Sequence, residues 1–577
     1  MASLPVFHTT SARQDDIQVE KLARDVLGGH DLRIDSRGAT TAVRGLDVTV
    51  DADRARGGVW AGDLSRLWGD PRIDVPKDDQ VAEIARTVLD ELRLTPELTE
   101  PFRYTEPGVR RSKTVTDDDN GRSVDEGEAT YARDVVVDVS GRPDIPGDAL
   151  PVFGGGGRFR ATVGDGGQIV GVHGVWRDAF QADELPVRSV EEAIEAAGLS
   201  RDGKNVRVTG AQLGYYSAPS FAAQDLLFPV YAVTADVRNG DEWIPSRVTL
   251  VPATELGEVT RREAPVPDRT EGITLSPAVL RDVITPGRAV PSDLTVSSAA
   301  LRRRGIQPEN VLTRGPSGSI FIKPGLTGID LSALLEAIRP RSFGASWIGS
   351  FGGLGGSQGN AQGFVDEMSA EGWQRRFNWG NQAAWKSDWI SNDDQYVDDV
   401  DFVFYTGHAG PDGWMLATGG AADWLNYTEI GAQPNNPSDH WGRNNLEWAV
   451  IAACGPLEDD IINGGGNVHD RWRGVFDGLH LLLGYAAVTF DNEEEGRRIA
   501  SYARSGMTLR QAWFRAAQEI QPSTNTYGDP YGPDIYAAAY YIGNSTANTA
   551  DDHLWGRGTV GPDIRNSTYR ACTYSPC

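Results

Sequence analysis

Val400-Asp401-Phe402-Val403-Phe404-Tyr405-Thr406-Gly407-His408-Ala409-Gly410 and Trp448-Ala449-Val450-Ile451-Ala452-Ala453-Cys454-Gly455-Pro456 decide the fold of this chain. Each is a short apolar run, rich in β-branched and aromatic residues, that stops at small residues able to turn the backbone. Such runs read as strands buried on both faces, the environment of a parallel sheet. Each also delivers one reactive side chain to its end, His408 in the first and Cys454 in the second. In an open parallel sheet, sites are built at the carboxyl edge of the strands. Two neighbouring strands ending there set an imidazole beside a thiol. A thiol with a pKa near ~8.5 is mostly protonated at neutral pH and needs a base or a positive neighbour to become a nucleophile. The pattern points to a Cys/His nucleophilic pair.

The flanking sequence extends the pattern. A strand is expected from Ser342, a helix over 361–370, helices over 470–479, 493–505 and 508–519 with Thr508 as N-cap, and strands over 480–488 and 534–542. Strands alternating with helices give an α/β fold, a three-layer domain with a mainly parallel sheet, over 341–560. The glycine-rich loop 352–359 lacks the Gly-Lys-Ser/Thr ending of a phosphate cradle.

A hydrophobic block ending in His-Gly, followed by a second ending in Ala-Cys, is the signature of the caspase-like (clan CD) cysteine peptidases, and the C-terminal 240 or so residues resemble that clan. Ala453-Cys454 meets the second half; in the first, Ala409 follows His408 and the glycine comes one residue later, at Gly410. The resemblance implies a cysteine endopeptidase acting on a protein or peptide substrate. In it Cys454 is the nucleophile, His408 the partner, and the N–H groups of Ala409 and Cys454 the oxyanion hole. Asp412 and Trp414 follow the histidine, and Glu458 and Asp459 follow the cysteine; these four are the candidates for the cleft or the specificity pocket. As plain residues, Asp412 is also a turn former, and the acidic run 458–460 a solvated turn.

Ahead of this domain two α+β modules are expected, 16–128 and 129–255, joined to it by a Pro-rich linker region, 256–340, and followed by a tail, 561–577. The first module carries an amphipathic helix over 79–94, and Asp117-Asp-Asp-Asn-Gly121 reads as a turn. In the second, Pro151-Val-Phe-Gly-Gly-Gly-Gly-Arg-Phe-Arg-Ala-Thr-Val163, then Ile169-Val-Gly-Val172 and the helix around Val190-Glu-Glu-Ala-Ile194, are similar to PepSY and FTP propeptide-type modules. That likeness implies a propeptide or regulatory N-terminal half, with Arg302-Arg-Arg304 as a place for self-cleavage. The competing class is a catalytically inactive caspase-like scaffold used for binding or surface assembly.

A net charge of −26 disfavours nucleic-acid binding, which needs a basic face. No apolar run approaches the ~18–20 residues of a membrane span, and the first residues show no signal-peptide pattern, which leaves the location open: secreted or cell-surface if a leader was removed, otherwise cytoplasmic. Only six of the 55 basic residues are lysine, a usage expected of a prokaryotic source. No cofactor is expected. His440, His469, His480 and His553 lack paired ligand spacing, so no catalytic metal is expected, while the acidity leaves a structural calcium open. Cys572 and Cys577 read either as a small disulfide or as two solvated thiols.

Overall fold

The computed structural model describes residues 2–10, 19–69, 74–201, 204–256, 289–291, 294–315, 319–324, 334, 337–349, 353–431, 440–525 and 534–577. It is a mixed α/β molecule built on one large sheet. Five strands of the C-terminal half run parallel: β1 (Ser342–Trp347), β2 (Gln374–Gly380), β3 (Phe402–Thr406), β4 (Trp448–Ala452) and β5 (Leu481–Tyr485), in the order β2-β1-β3-β4-β5. Two antiparallel strands follow, β6 (Tyr536–Gly543) and β7 (Tyr569–Pro576).

The period-2 rule sorts the two faces of these strands. Phe402, Phe404, Trp448, Val450, Leu481 and Leu483 face one core, under the helices α1 (Ser357–Ala370), α2 (Glu495–Arg504) and α3 (Leu509–Ile520). Val403, Tyr405, Ala449, Ile451 and Leu482 face a second core packed with Trp389, Trp414, Trp441 and Trp472. α1 and α2 approach closely because Gly363 leaves room for Arg497 and Gly496 for Phe364. Thr508 caps α3, its side chain accepting from the Gln511 N–H in a reciprocal capping box.

The residues expected as a C-terminal tail include an interior strand. β7 pairs on its far side with Gly108–Asp118 of the first module, and the sheet continues through Gly121–Asp138, Arg158–Val163, Ile169–Val175 and Gly58–Asp63. Gly121–Asp138 itself runs through residue 128. The alternation Ala-Cys-Thr-Tyr-Ser is too short to stand out against turn-like neighbours, and only its two partners make it a strand. Cys572 and Cys577 are both free and buried, so neither a disulfide nor a pair of solvated thiols describes them. The amphipathic helix is found at Asp78–Glu91, and Asp118 accepts from the Asn120 N–H in the turn of a long hairpin. Most of the Pro-rich segment, 257–288, lies outside the described residues. Arg302 does not serve an exposed cleavage loop: it sits in the helix Ser298–Arg303 and pairs with Asp563 at 3.0 Å. Among the described residues no helix is long and apolar enough to cross a membrane.

The amino edge of the parallel strands is closed by charge. His480, ahead of β5, lies 2.6 Å from Asp552 and 3.0 Å from Glu447, and Arg314 pairs with Asp563 at 2.9 Å. Burial pulls the imidazole down, but Glu447 and Asp552 outweigh it and raise His480 to about 10. A histidine raised in the folded state stabilises fully below its ordinary value, and that contribution is lost as pH climbs through the raised one. Unfolding free energy from urea titration is therefore expected to fall between pH ~6.5 and ~10 by more in the wild type than in His480→Gln; equal slopes would mean that the imidazole is not held charged.

Candidate active site

β3 and β4 pair in parallel with Thr406 opposite Ala452. His408 and Cys454 each lie two residues farther on, so the register brings them to the same level at the carboxyl edge of adjacent strands. Gly407 is needed here because a Cβ would run into the Tyr405 hydroxyl. That hydroxyl donates to the carbonyl of Met415, 2.5 Å away, and lies 3.1 Å from that of His408. The Met415 N–H donates to the His408 carbonyl at 2.9 Å, fixing the hairpin that carries Ala409. That bond makes Ala409 and Trp414 a non-hydrogen-bonded pair of the ladder, so the Ala409 N–H points away from it. Ala409 is not among the positive-φ residues, so its place needs no glycine, and the missing His-Gly does not disturb the local backbone. Gly455, just after the cysteine, has φ +65°, and any Cβ there would meet the Glu458 carboxylate.

Both reactive groups are sealed. His408 is 0% and Cys454 2% exposed. What covers them comes from the N-terminal half, in the turn between the strands Glu242–Pro245 and Thr249–Pro252. The Ser246 hydroxyl lies 3.1 Å from His408 Nδ1. The Val248 N–H donates to the Thr489 carbonyl at 2.8 Å, and the Asp491 N–H to the Val248 carbonyl at 2.9 Å. Between them, the Arg247 guanidinium donates to the Ala452 carbonyl at 3.0 Å, the Phe490 carbonyl at 2.6 Å and the Glu495 carboxylate at 2.9 and 3.1 Å.

This cover sets the protonation states. Burial first, and the Arg247 charge second, pull His408 down to about 3, so the imidazole is neutral. Burial pushes the Cys454 thiol up to about 11, against the opposing pull of Arg247 and of the Thr489 N–H, which donates to the sulfur at 3.5 Å. His408 Nε2 has no hydrogen-bond partner among the described residues. The resting arrangement is a neutral imidazole and a neutral thiol.

The remaining sequence candidates divide. Asp412 accepts from Asn426 Nδ2 at 3.0 Å and holds the hairpin loop after His408. Glu458 is half-buried beside Gly455, and burial raises its carboxyl to about 7. Trp414 is not at a cleft rim: it is fully buried against Trp389, Trp441 and Trp472, because its strand turns it into the second core. Asp459 is not at a cleft rim either: it is fully buried, paired with Arg122 and accepting from the N–H of Val468 at 3.0 Å. The Gly356 N–H of the glycine-rich loop donates to Asp491 at 2.8 Å. Ser246, Arg247, Thr489 and Glu495 were not visible as site residues. Glu495 is the last of three consecutive acids, and nothing in the sequence singles out the one that is buried.

Glu447, His480 and Asp563 bring their ligand atoms within 4.8 Å of one another, the spacing of a cation site. Arg314 and Arg302 already neutralise these carboxylates, and the imidazole is held protonated, so the donor set does not suit a metal.

Residues 345–575 match a family model described as a domain of unknown function, DUF6345. The match spans His408 and Cys454 and leaves out Ser246 and Arg247. No curated protein matches the chain. Among solved structures, an uncharacterized protein from Eubacterium rectale ATCC 33656 is similar at 10% identity, over 46% of this chain and 86% of that one, with a TM-score of 0.26.

In the intact native protein, iodoacetamide at pH 7.5 is expected to label Cys454 roughly 100-fold or more slowly than in urea, the labelling rate rising with pH toward 10 as the thiolate fraction grows. Peptide mass spectrometry reads this directly. A native rate equal to the denatured one at neutral pH would show an open, ordinary thiol.

Proposed function

We propose that the chain is a latent cysteine endopeptidase of the caspase-like type, with Cys454 as nucleophile and His408 as its proton partner, kept closed by its own N-terminal half. The observation that carries this reading is the register match of Thr406 with Ala452, which levels the two groups at the carboxyl edge of adjacent parallel strands. The strand order, with helices over one face and an aromatic layer over the other, is consistent with a three-layer caspase-like domain. On this reading the propeptide-like modules supply the covering segment, and maturation cuts the chain ahead of β1.

Once uncovered, Cys454 transfers its proton to His408 and its sulfur attacks the scissile carbonyl carbon. A C–S bond forms while the π pair moves to oxygen, which accepts from the Ala409 and Cys454 N–H groups. Collapse breaks the C–N bond, and the amine leaves with the proton from His408. Water, deprotonated by His408, then attacks the thioester, breaks the C–S bond and releases the carboxylic acid, and the thiol is restored. Sealing by Ser246 and Arg247 denies water and substrate to both groups, so the intact chain is inactive.

The second reading, a non-catalytic scaffold, draws on the burial of both groups and their neutral state. The test compares full-length wild type, Cys454→Ala and His408→Ala, before and after brief digestion with a metallopeptidase that is then quenched by chelation. The readouts are hydrolysis of a quenched-fluorescent peptide mixture and labelling of Cys454. Nicked wild type is expected to cleave peptides and to label at least ~10-fold faster than intact protein. Cys454→Ala should be inert, and His408→Ala slower by ~10²–10⁴. A Cys454 that stays unlabelled until the nicked protein is denatured, with no peptide cleaved, is the scaffold's result.

A further inference from the structure

We infer that the buried pocket holding Arg247 is a specificity pocket for the guanidinium of an arginine side chain in the substrate, and that Arg247 fills it as an internal stand-in; this rests on the peptidase reading above. The acceptors come from one half of the chain and the guanidinium from the other. The Thr406 hydroxyl lies 3.3 Å from Nη1, and the carbonyls of Ala452 and Phe490 and the carboxylate of Glu495 complete the set; all four residues belong to the C-terminal half. Thr406 and Ala452 stand two residues before His408 and Cys454. The pocket therefore lies directly beneath the candidate pair, at the depth a long side chain reaches while its own backbone passes over them.

The Glu495 carboxylate that meets Arg247 is also held by donors of its own half. The Glu495 carboxylate accepts from Asn360 Nδ2 at 2.9 Å, from the Tyr485 hydroxyl at 2.7 Å and from Gln521 Nε2 at 2.7 Å. These donors come from α1, β5 and the end of α3, all in the C-terminal half, although α3 itself packs on the N-terminal modules through Phe514 against Trp68. The cation that meets this buried carboxylate is Arg247, at 2.9 Å. The acceptors around it are spread over two nitrogens of a planar fork: Ala452 and Thr406 take Nη1, Phe490 and Glu495 take Nη2. Lysine, a single ammonium point, cannot meet both sets at once. The covering segment also approaches as a bound peptide would. Ser246, the residue before the arginine, lies against His408, and Val248, the residue after, pairs in parallel with Phe490. Beyond it a cleft of about 780 Å³ opens between Thr249, Leu250 and Phe228 on one side and Phe490 to Glu494 on the other, sharing Phe490 with the pocket.

Full-length Arg247→Ala empties the pocket, and the probes are N-acetyl-arginine methylamide and its lysine analogue, read by thermal unfolding, together with peptidyl-coumarin substrates ending in arginine, lysine or aspartate. The variant is expected to bind the arginine probe roughly 10- to 100-fold more tightly than the lysine probe, the weight of one charge-assisted hydrogen bond. Once nicked as above, it should hydrolyse the arginyl substrate by preference, and Arg247→Ala/Glu495→Gln should lose both preferences. Equal hydrolysis of all three substrates would overturn the arginine pocket and leave the peptidase standing. Selective arginine binding by the intact variant with no hydrolysis after nicking would support the pocket and overturn the peptidase. Where Arg247→Ala does not fold, the nicked wild type is measured on the same three coumarin substrates in its place. Absence of an arginine preference in whichever of the two is measured overturns the inference.

Discussion

A guanidinium from one half of the chain and a carboxylate from the other, both fully buried and 2.9 Å apart, set the terms on which this molecule holds together. Stripping water from either group alone costs several kcal/mol, and only the partner and its further hydrogen bonds offset that cost. Arg247 finds its acceptors only in the C-terminal half. Among the described residues, Glu495 has three neutral donors and one cation, Arg247, in contact with it. Neither half can give up the contact without leaving a charge in the dark, so the turn at Ser246 to Val248 stays pressed onto the strand ends. The burial of His408 and Cys454 follows from that contact, and their neutral state follows from the burial.

The sheet reinforces the same union by a different route. β7 follows β6 in sequence, yet it lies between β6 and Gly108–Asp118, so the two halves share backbone hydrogen bonds across the middle of one sheet. A strand in that place has no free edge, and withdrawing it would expose two. The ionic cluster at the amino edge ties residues ahead of β1 to the connection between β6 and β7 through Arg302, Arg314 and Asp563. Charge closes the sheet at both edges, but with opposite character: at the amino edge the charges only pair with one another, whereas at the carboxyl edge they surround two groups capable of chemistry.

The parallel strands were legible because burial on both faces forces an unbroken apolar run, and Phe402–Thr406 and Trp448–Ala452 have one each. Their register was legible too, through two reactive residues at equal distance from the strand ends. The covering segment was not. Ile244-Pro-Ser-Arg-Val248 carries no periodicity, and its meaning lies wholly in acceptors more than 150 residues away in sequence. Trp414 and Asp459 misled for a related reason: proximity in sequence to a reactive residue says nothing about which face of a strand a side chain takes, or which distant arginine it meets. Cys572 lies in a strand whose neighbours are supplied by two remote segments, and no local pattern could announce it.

On the proposed reading, latency and catalysis answer to one physical variable, the access of water to the carboxyl edge. With the segment in place, the thiol sits near 11 and the imidazole near 3, an arrangement in which proton transfer from sulfur to nitrogen is strongly uphill. Burial is the leading cause of both displacements, and both shrink together as water enters. Arg247 makes the coupling sharper. Its positive charge favours the thiolate but opposes a protonated His408, so while it fills the pocket it helps one member of the pair at the expense of the other. A substrate arginine in the same pocket would bring the same charge, but over a site whose imidazole is no longer covered by Ser246 and has solvent to share the proton. What separates the closed chain from a working one is then the seal over His408 and not the occupant of the pocket, which explains how a single guanidinium site can serve first to lock the pair and later to select what reaches it.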